Sequence, residues 1–166
     1  MVSDQPGQED WQAAAAAGTA RRRLSPVPGQ SATLPAGLLQ EVIDAAREDA
    51  PNETVGLLVA PAHAADGGVP TRYVRLANAA ASPYRYLLDP DEQLRVMLEI
   101  DDANEVIWGV VHSHVATPAE PSVTDVGLAY YPDSLYLICS LADPVPEVRA
   151  WMIRDGEVSE VLLAVG

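Results

Sequence analysis

The sequence lacks the residues on which several classes of protein depend. Its single cysteine, Cys139, excludes an intramolecular disulfide framework and a cysteine-rich zinc finger. It has no lysine, and its 10 basic residues stand against 24 acidic ones, which gives a formal net charge of −14. A negative field of this size disfavours binding to phosphate backbones or to anionic lipid. No apolar run approaches the roughly 18–20 residues that a membrane-spanning helix needs.

What is present is sufficient for one folded unit. The chain has 166 residues, of which 48% are hydrophobic and 20% are charged. These values are typical of a single globular domain with a buried core. Together with the absences above, they predict a soluble, acidic, cytoplasmic domain that binds neither nucleic acid nor membranes. They leave the oligomeric state open.

Residues 1–30 differ in composition from the rest of the chain. The alanine run Ala13–Ala17 is followed by Arg21–Arg23 and then by a stretch rich in proline, glycine and serine. A secretory signal has the reverse order, with its positive charges first. Because few large apolar residues offset the entropy of ordering, we predict a disordered or loosely docked extension over 1–30 and a folded domain over 31–166. The alternative is that Trp11 and the arginines fold back over a site or hold a partner.

The spacing of apolar residues predicts both helices and strands in the folded part. Helices are predicted at 34–50, from Asp89 to about Ala103, and over about ten residues from Ser122. Strands are predicted at Thr54–Ala60, Tyr73–Ala77, Tyr84–Leu88, Glu105–Val111, Leu135–Leu141, Val148–Arg154 and Val158–Ala164. Helices that precede and interrupt a mostly β core indicate an α/β or α+β fold, with helices packed on one sheet.

Residues 112–125, which read HSHVATPAEPSVTD, point to a metal site. His112 and His114 come at the end of a predicted strand, where alternate side chains face the same side. Asp125 follows Ser122 by three residues on a new helix, so the two side chains lie on the same helix face. That face can be directed towards the histidines. Two imidazoles and a carboxylate suit a divalent metal, zinc first among them, and leave a fourth position open as in catalytic sites.

Two further residues are candidates for catalytic roles. Glu53 stands at the head of a predicted strand, where burial would raise the pKa of its carboxyl towards neutrality and suit it to proton transfer. The hydroxyl of Ser122 can donate to the oxyanion of a tetrahedral intermediate. A pair of histidines alone is often a coincidence, but its combination with this serine, aspartate and glutamate favours catalysis.

The spacing of His112, His114, Ser122 and Asp125 matches the H-x-H-x7-S-x2-D motif of the JAMM (MPN+) metalloproteases without a gap. The segment that begins at Glu53 also resembles the E-x-x-G-L-L segment of that family, and the resemblance covers roughly residues 35–160. It implies the MPN/JAB fold, which is related to the cytidine deaminases. It also implies zinc held by the two histidines and the aspartate, Glu53 as general acid and base, and Ser122 as oxyanion donor.

Within the family, HSHVATPAEPSVTD resembles the actinobacterial Mec-type CysO-cysteine peptidases, although Val115 replaces a common proline. This resemblance implies cleavage after the C-terminal Gly-Gly of a ubiquitin-like sulfur-carrier protein, with release of cysteine for cysteine biosynthesis. The alternatives are a deconjugase that removes ubiquitin-like modifiers from lysine, a non-catalytic MPN scaffold, and a deaminase-like metal hydrolase. Non-catalytic MPN domains usually lack a ligand, whereas this sequence keeps the whole set.

Overall fold

The structure is a computed structural model that describes residues 23–24 and 31–166. The prediction for residues 1–30 therefore lies outside the described residues, apart from Arg23–Leu24. The helices are α1 (Ala36–Asp49), α2 (Pro90–Asp102) and α3 (Val123–Gly127), with a short 3-10 helix at Ala64–Asp66. The strands are β1 (Arg23–Leu24), β2 (Ser31–Leu34), β3 (Val55–Ala60), β4 (Arg72–Leu76), β5 (Val106–His114), β6 (Leu135–Ser140), β7 (Glu147–Arg154) and β8 (Glu157–Val165).

These strands form one mixed sheet in the order β1-β8-β7-β6-β5-β3-β4, and β2 also pairs with β8. Strand β3 is antiparallel to both β4 and β5, and β6, β7 and β8 form an antiparallel meander. Strands β5 and β6 are parallel, so the chain between them must cross over, and this connection contains α3.

Helices cover both faces of the sheet. Helix α1 places Val42 and Ala46 in a buried cluster with Leu137 of β6. Helix α2 places Val96 in a second cluster with Ile138, the next residue of the same strand. Because adjacent residues of a strand face opposite sides, α1 and α2 lie on opposite faces. The predicted class, a single mixed sheet packed with helices, is confirmed.

The predicted strand at Tyr84–Leu88 is wrong. The only ladder contact of this segment is an isolated bridge between Asn78 and Leu88. The Asn78 side chain forms hydrogen bonds with backbone groups of this segment that would otherwise bond to a neighbouring strand. Its Nδ2 donates to the Arg85 carbonyl at 3.1 Å, and its Oδ1 accepts from the Leu87 N–H at 3.0 Å. The alternating tyrosines therefore lie in an extended loop.

The third helix and the first part of the sheet also differ from prediction. Helix α3 has five residues rather than about ten, because the next N–H groups do not continue its pattern: Ala129 donates to Val126, three residues back, and Tyr131 donates to the Tyr136 hydroxyl. Strand β2 was not predicted, and it pairs in parallel with the last residues of β8, burying Leu34 completely. The other predicted helices and strands are confirmed, with ends that shift by a few residues. In the described part of the chain, no helix is long and apolar enough to cross a membrane.

Candidate metal centre

Strand β5 carries both histidines into the site. The strand ends at His114, so His112 and His114 lie on one face, the face that α2 covers, and are 1% and 5% exposed. Ser113 points to the other side, where its Oγ accepts a hydrogen bond from the Thr54 N–H at 2.8 Å. This bond joins β5 to the start of β3 and fixes the end of the strand that bears the histidines.

Asp125 is positioned by the way α3 begins. Ser122 is the N-cap, and its Oγ accepts from the Asp125 N–H at 3.0 Å. In return the Asp125 carboxylate accepts from the Ser122 N–H at 2.7 Å, which completes a reciprocal capping box. The two residues share a face of the new helix, so the cap that starts α3 also turns the carboxylate towards β5.

The three side chains converge. Nε2 of His112 lies 3.2 Å from Nε2 of His114, and each of these nitrogens lies within 3.2 Å of an oxygen of Asp125. All potential ligand atoms lie within 4.8 Å of one another, and all three residues are buried. The structure thus brings together the residues that the sequence nominates as metal ligands.

The contact that Nδ1 of His114 makes indicates which of its ring nitrogens carries a hydrogen. Nδ1 lies 2.8 Å from the Pro118 carbonyl oxygen, which only accepts hydrogen bonds, so Nδ1 carries the hydrogen. When the ring is neutral, the lone pair of Nε2 is available to a metal, and when the ring is protonated, Nε2 donates a hydrogen bond to Asp125 at 3.1 Å. A metal-binding histidine usually has this arrangement, because a partner of the other nitrogen fixes the tautomer.

The charge of Asp125 also suits a cation site. Burial tends to raise its pKa, but attraction to His112 and hydrogen bonds from both histidines outweigh this effect and hold the pKa well below its usual range. The carboxylate is therefore ionised at neutral pH. A buried carboxylate with two imidazole nitrogens within 3.2 Å is the donor set of a divalent metal, and it fits the metal that the family resemblance implies.

Glu53 lies beside this group. Strands β3 and β5 are antiparallel, and Val55 pairs with His112. The Ser113 N–H donates to the Thr54 carbonyl, so these two residues form the next pair. Continuing this register places Glu53 opposite His114. Its side chain is 4% exposed, and among the described residues its Oε2 has no hydrogen-bond partner. Burial raises its pKa to about 7, with a smaller lowering by His114 and a smaller rise from Asp125.

Sequence reasoning missed the loop that supports Glu53 and His112. The Asn78 side chain donates to the Glu53 carbonyl at 3.0 Å, and the Ser82 carbonyl accepts from the Glu53 N–H at 2.8 Å. Tyr86 of the same loop packs its ring against that of His112 at a centroid distance of 5.0 Å. A polar Asn78 immediately after an apolar strand was the available signal, since asparagine side chains often close turns.

Comparisons with known proteins agree with this geometry. A family described as prokaryotic homologues of the JAB domain matches residues 35–154. The CysO-cysteine peptidase of Mycobacterium tuberculosis is 43% identical over 126 residues, which cover 75% of this chain and 84% of that protein. The desampylase of Haloferax volcanii is 34% identical over 129 residues, covering 77% and 88%. A solution structure from Desulfitobacterium hafniense has a TM-score of 0.71 at 36% identity, covering 81% of this chain and 92% of that one.

The chain belongs to the prokaryotic JAB domain family, and it is a peptidase of the JAMM type. The predicted MPN/JAB fold is confirmed by the family match and by the structural relative.

Proposed function

We propose that this chain is a zinc-dependent peptidase that cleaves after the C-terminal Gly-Gly of a ubiquitin-like sulfur-carrier protein and releases cysteine for cysteine biosynthesis. The observation that carries the proposal is the convergence of His112, His114 and Asp125 beside the buried Glu53. The 43% identity to a CysO-cysteine peptidase supports the substrate class.

Zinc is the metal that this donor set favours. Two imidazole nitrogens and one carboxylate are the protein ligands of many catalytic zinc sites, in which a fourth position stays open. When bound, such a metal polarises a carbonyl group and lowers the pKa of a water molecule. His112, His114 and Asp125 would hold it.

Glu53 would move the proton. A carboxyl group whose pKa is about 7 exists in both protonation states near neutral pH, so it can accept a proton and later return it. Oε2 is buried and has no hydrogen-bond partner among the described residues, which leaves it available for this task. Glu53 would take the proton of the attacking water and deliver it to the amine of the leaving cysteine.

Ser122 would stabilise the charge that develops on the scissile carbonyl. Its Oγ accepts the hydrogen bond from the Asp125 N–H, and this bond leaves the hydroxyl hydrogen of Ser122 free to donate. A donor aimed at a developing oxyanion typically contributes about 2.7–4 kcal/mol to the lowering of the barrier.

The carrier's tail, rather than the released residue, would determine selectivity. An extended tail that adds alongside a strand edge forms main-chain hydrogen bonds with little selection of side chains. Glycines suit a narrow groove, because they have no Cβ atom to exclude. The remaining selectivity would come from the surface of the carrier.

The test is to incubate the protein with a sulfur-carrier protein that ends in Gly-Gly-Cys and to measure the intact mass of the carrier. We expect loss of one cysteine with the zinc-loaded protein and no loss after metal removal. Glu53→Gln should keep the metal while kcat falls by about 10²–10⁴, the usual contribution of a general acid and base. An intact carrier after prolonged incubation with zinc-loaded protein would contradict the proposal.

A second candidate function is removal of ubiquitin-like modifiers from lysine, which the 34% identity to a desampylase favours. The same assay separates the two functions when one carrier is offered both as the C-terminal cysteine adduct and as an isopeptide to lysine. We expect cleavage of the cysteine adduct, and a higher kcat/KM for the isopeptide would favour deconjugation as the function. Replacing the last glycine by valine should lower kcat/KM steeply, whereas replacing the released cysteine by alanine should have little effect.

A further inference from the structure

The segment that joins His114 to Ser122, residues 115–121, is here called the ligand loop. Three consecutive carbonyl groups of the ligand loop accept hydrogen bonds from side chains of three adjacent strands. The donors are Ser140 Oγ of β6 to Thr117 at 2.6 Å, His114 Nδ1 of β5 to Pro118 at 2.8 Å, and Trp151 Nε1 of β7 to Ala119 at 2.9 Å. The ligand loop is thus fastened to the sheet at each of three successive residues.

The hydrogen bond from Trp151 is the most buried of the three. Trp151 is 3% exposed and Ala119 is fully buried, so breaking this bond would leave a buried donor and a buried acceptor without partners. The indole ring is itself held, because the guanidinium of Arg149 lies over it at 4.7 Å. Arg149 also donates to Glu160 of β8 and to Glu120 of the ligand loop, at 2.8 Å and 3.2 Å.

This attachment matters because α3 cannot place Asp125 by itself. A helix of five residues gains little from its own hydrogen bonds, so its position depends on what precedes it and on tertiary contacts. The position of His114 is fixed by the sheet. The position of Asp125 depends instead on the ligand loop and on the cap at Ser122. The separation of the two ligands is therefore set by the anchors of that loop.

We propose that Trp151 is a positioning residue for the metal centre, which it does not touch: its indole N–H fixes the ligand loop so that Asp125 meets the two histidines. This inference rests on the proposed metal centre. Loss of the N–H should weaken metal binding, because the loop would sample positions in which the carboxylate lies away from His112 and His114.

The chain contains a matched control for Trp151. Trp108 is also a buried tryptophan of the sheet, and its Nε1 donates to a loop carbonyl, that of Gly68, at 2.7 Å. Trp108 lies four residues before His112 on β5, about 13 Å along the strand from that ligand. Trp151→Phe and Trp108→Phe each remove one indole N–H and keep an aromatic ring, but only the former loosens the ligand loop.

The experiment measures the zinc dissociation constant of the full chain by competition with a chelator, together with the melting temperature of the metal-free protein. We expect Trp151→Phe to weaken zinc binding about tenfold, at the low end of what loss of a supporting group costs a metal site. Trp108→Phe should stay within about twofold of wild type, although both variants lose a similar amount of metal-free stability.

Ser140→Ala is the second variant, because it removes the hydrogen bond to the neighbouring Thr117 carbonyl. It keeps the inference testable if Trp151→Phe does not fold. Weaker zinc binding by folded Ser140→Ala supports the inference. Wild-type affinity in every folded ligand-loop variant would overturn it while leaving the proposed function intact. A wild-type protein that binds no zinc would instead overturn the proposed metal centre, and this inference with it.

Discussion

Asp125 and Ser122 hold one another through two hydrogen bonds. The Ser122 N–H donates to Oδ2 of Asp125 at 2.7 Å, and the Asp125 N–H donates to Oγ of Ser122 at 3.0 Å. The same Oδ2 lies 3.1 Å from Nε2 of His114. One carboxylate therefore starts a helix and faces the histidines, so the local folding of α3 and the geometry of the metal centre are coupled.

This coupling predicts a difference between two substitutions at Ser122. Ser122→Ala removes the cap and the hydroxyl, so it should lower the free energy of unfolding by about 1 kcal/mol, whereas Ser122→Gly should lower it by only a few tenths. Both variants lack the proposed oxyanion donor, and kcat should fall by about 10²–10³ in each. Chemical denaturation and steady-state kinetics measure the two effects. Full activity in Ser122→Gly would remove Ser122 from the oxyanion role.

Metal content should depend on two of the three histidines in the chain. The purified protein should hold about one zinc ion per chain, and His114→Ala or Asp125→Ala should lose it, because a catalytic zinc site depends on its three protein ligands. His63→Ala is the matched control, since His63 lines a separate cleft with residues of α2. Mass spectrometry of bound metal gives the stoichiometry. Full zinc content in His114→Ala would exclude that residue from the ligand set.

The metal-free protein should lose stability as the pH rises, in part because of Glu53. The pKa of Glu53 is about 7 in the fold against an ordinary value of 4.5, so between these values the folded state keeps a proton that the unfolded chain releases. The contribution of Glu53 to the free energy of unfolding should therefore fall across this interval and stay constant above about pH 7. Glu53→Gln should remove about 3 kcal/mol of that fall.

Urea denaturation of wild type and Glu53→Gln from pH 4 to pH 8 measures this effect, since the other titrating groups are common to both proteins. The difference between the two unfolding free energies is the quantity to follow. If it does not change with pH, the pKa of the Glu53 carboxyl is the same in the folded and the unfolded protein, and it is not raised by burial.

Two N-terminal truncations should differ sharply. Removal of residues 1–30 takes the two-residue strand β1 but should leave zinc content and melting temperature nearly unchanged, because that segment has little apolar surface to bury. Removal of residues 1–34 also takes β2 and the fully buried Leu34, and loss of a buried leucine side chain alone typically costs about 2–5 kcal/mol. Thermal denaturation compares the two. A large fall in melting temperature for the shorter truncation would show that residues 1–30 dock on the domain.

Much of the site could be predicted because its geometry is local. The alternation of a strand is enough to place His112 and His114 together, and the three-residue spacing of a cap is enough to pair Ser122 with Asp125. The raised pKa of Glu53 was likewise expected from its place at the head of a buried strand. Each of these inferences needs only a few neighbouring residues.

Elements whose partners are distant in sequence could not be predicted in this way. Tyr84–Leu88 has the alternation of a strand, but Asn78 takes its backbone groups. Strand β2 exists because it meets the far end of β8, at the opposite end of the folded chain. The local pattern of apolar residues does not indicate such contacts. Whether a segment is stable as a strand depends on which other parts of the fold pack and pair with it.

The family, the sheet-and-helix class and the candidate ligands could be read from the amino-acid sequence alone, since all three depend on motifs and periodicities within short stretches. How the ligands are held depends on contacts that form only in the folded protein. Ser140 and Trp151 lie 23 and 32 residues along the chain from the carbonyls that they hold, and they reach the same loop as His114 because β5, β6 and β7 lie side by side. Strand order is set by burial of both sheet faces as a whole, and that is a property of the assembled core.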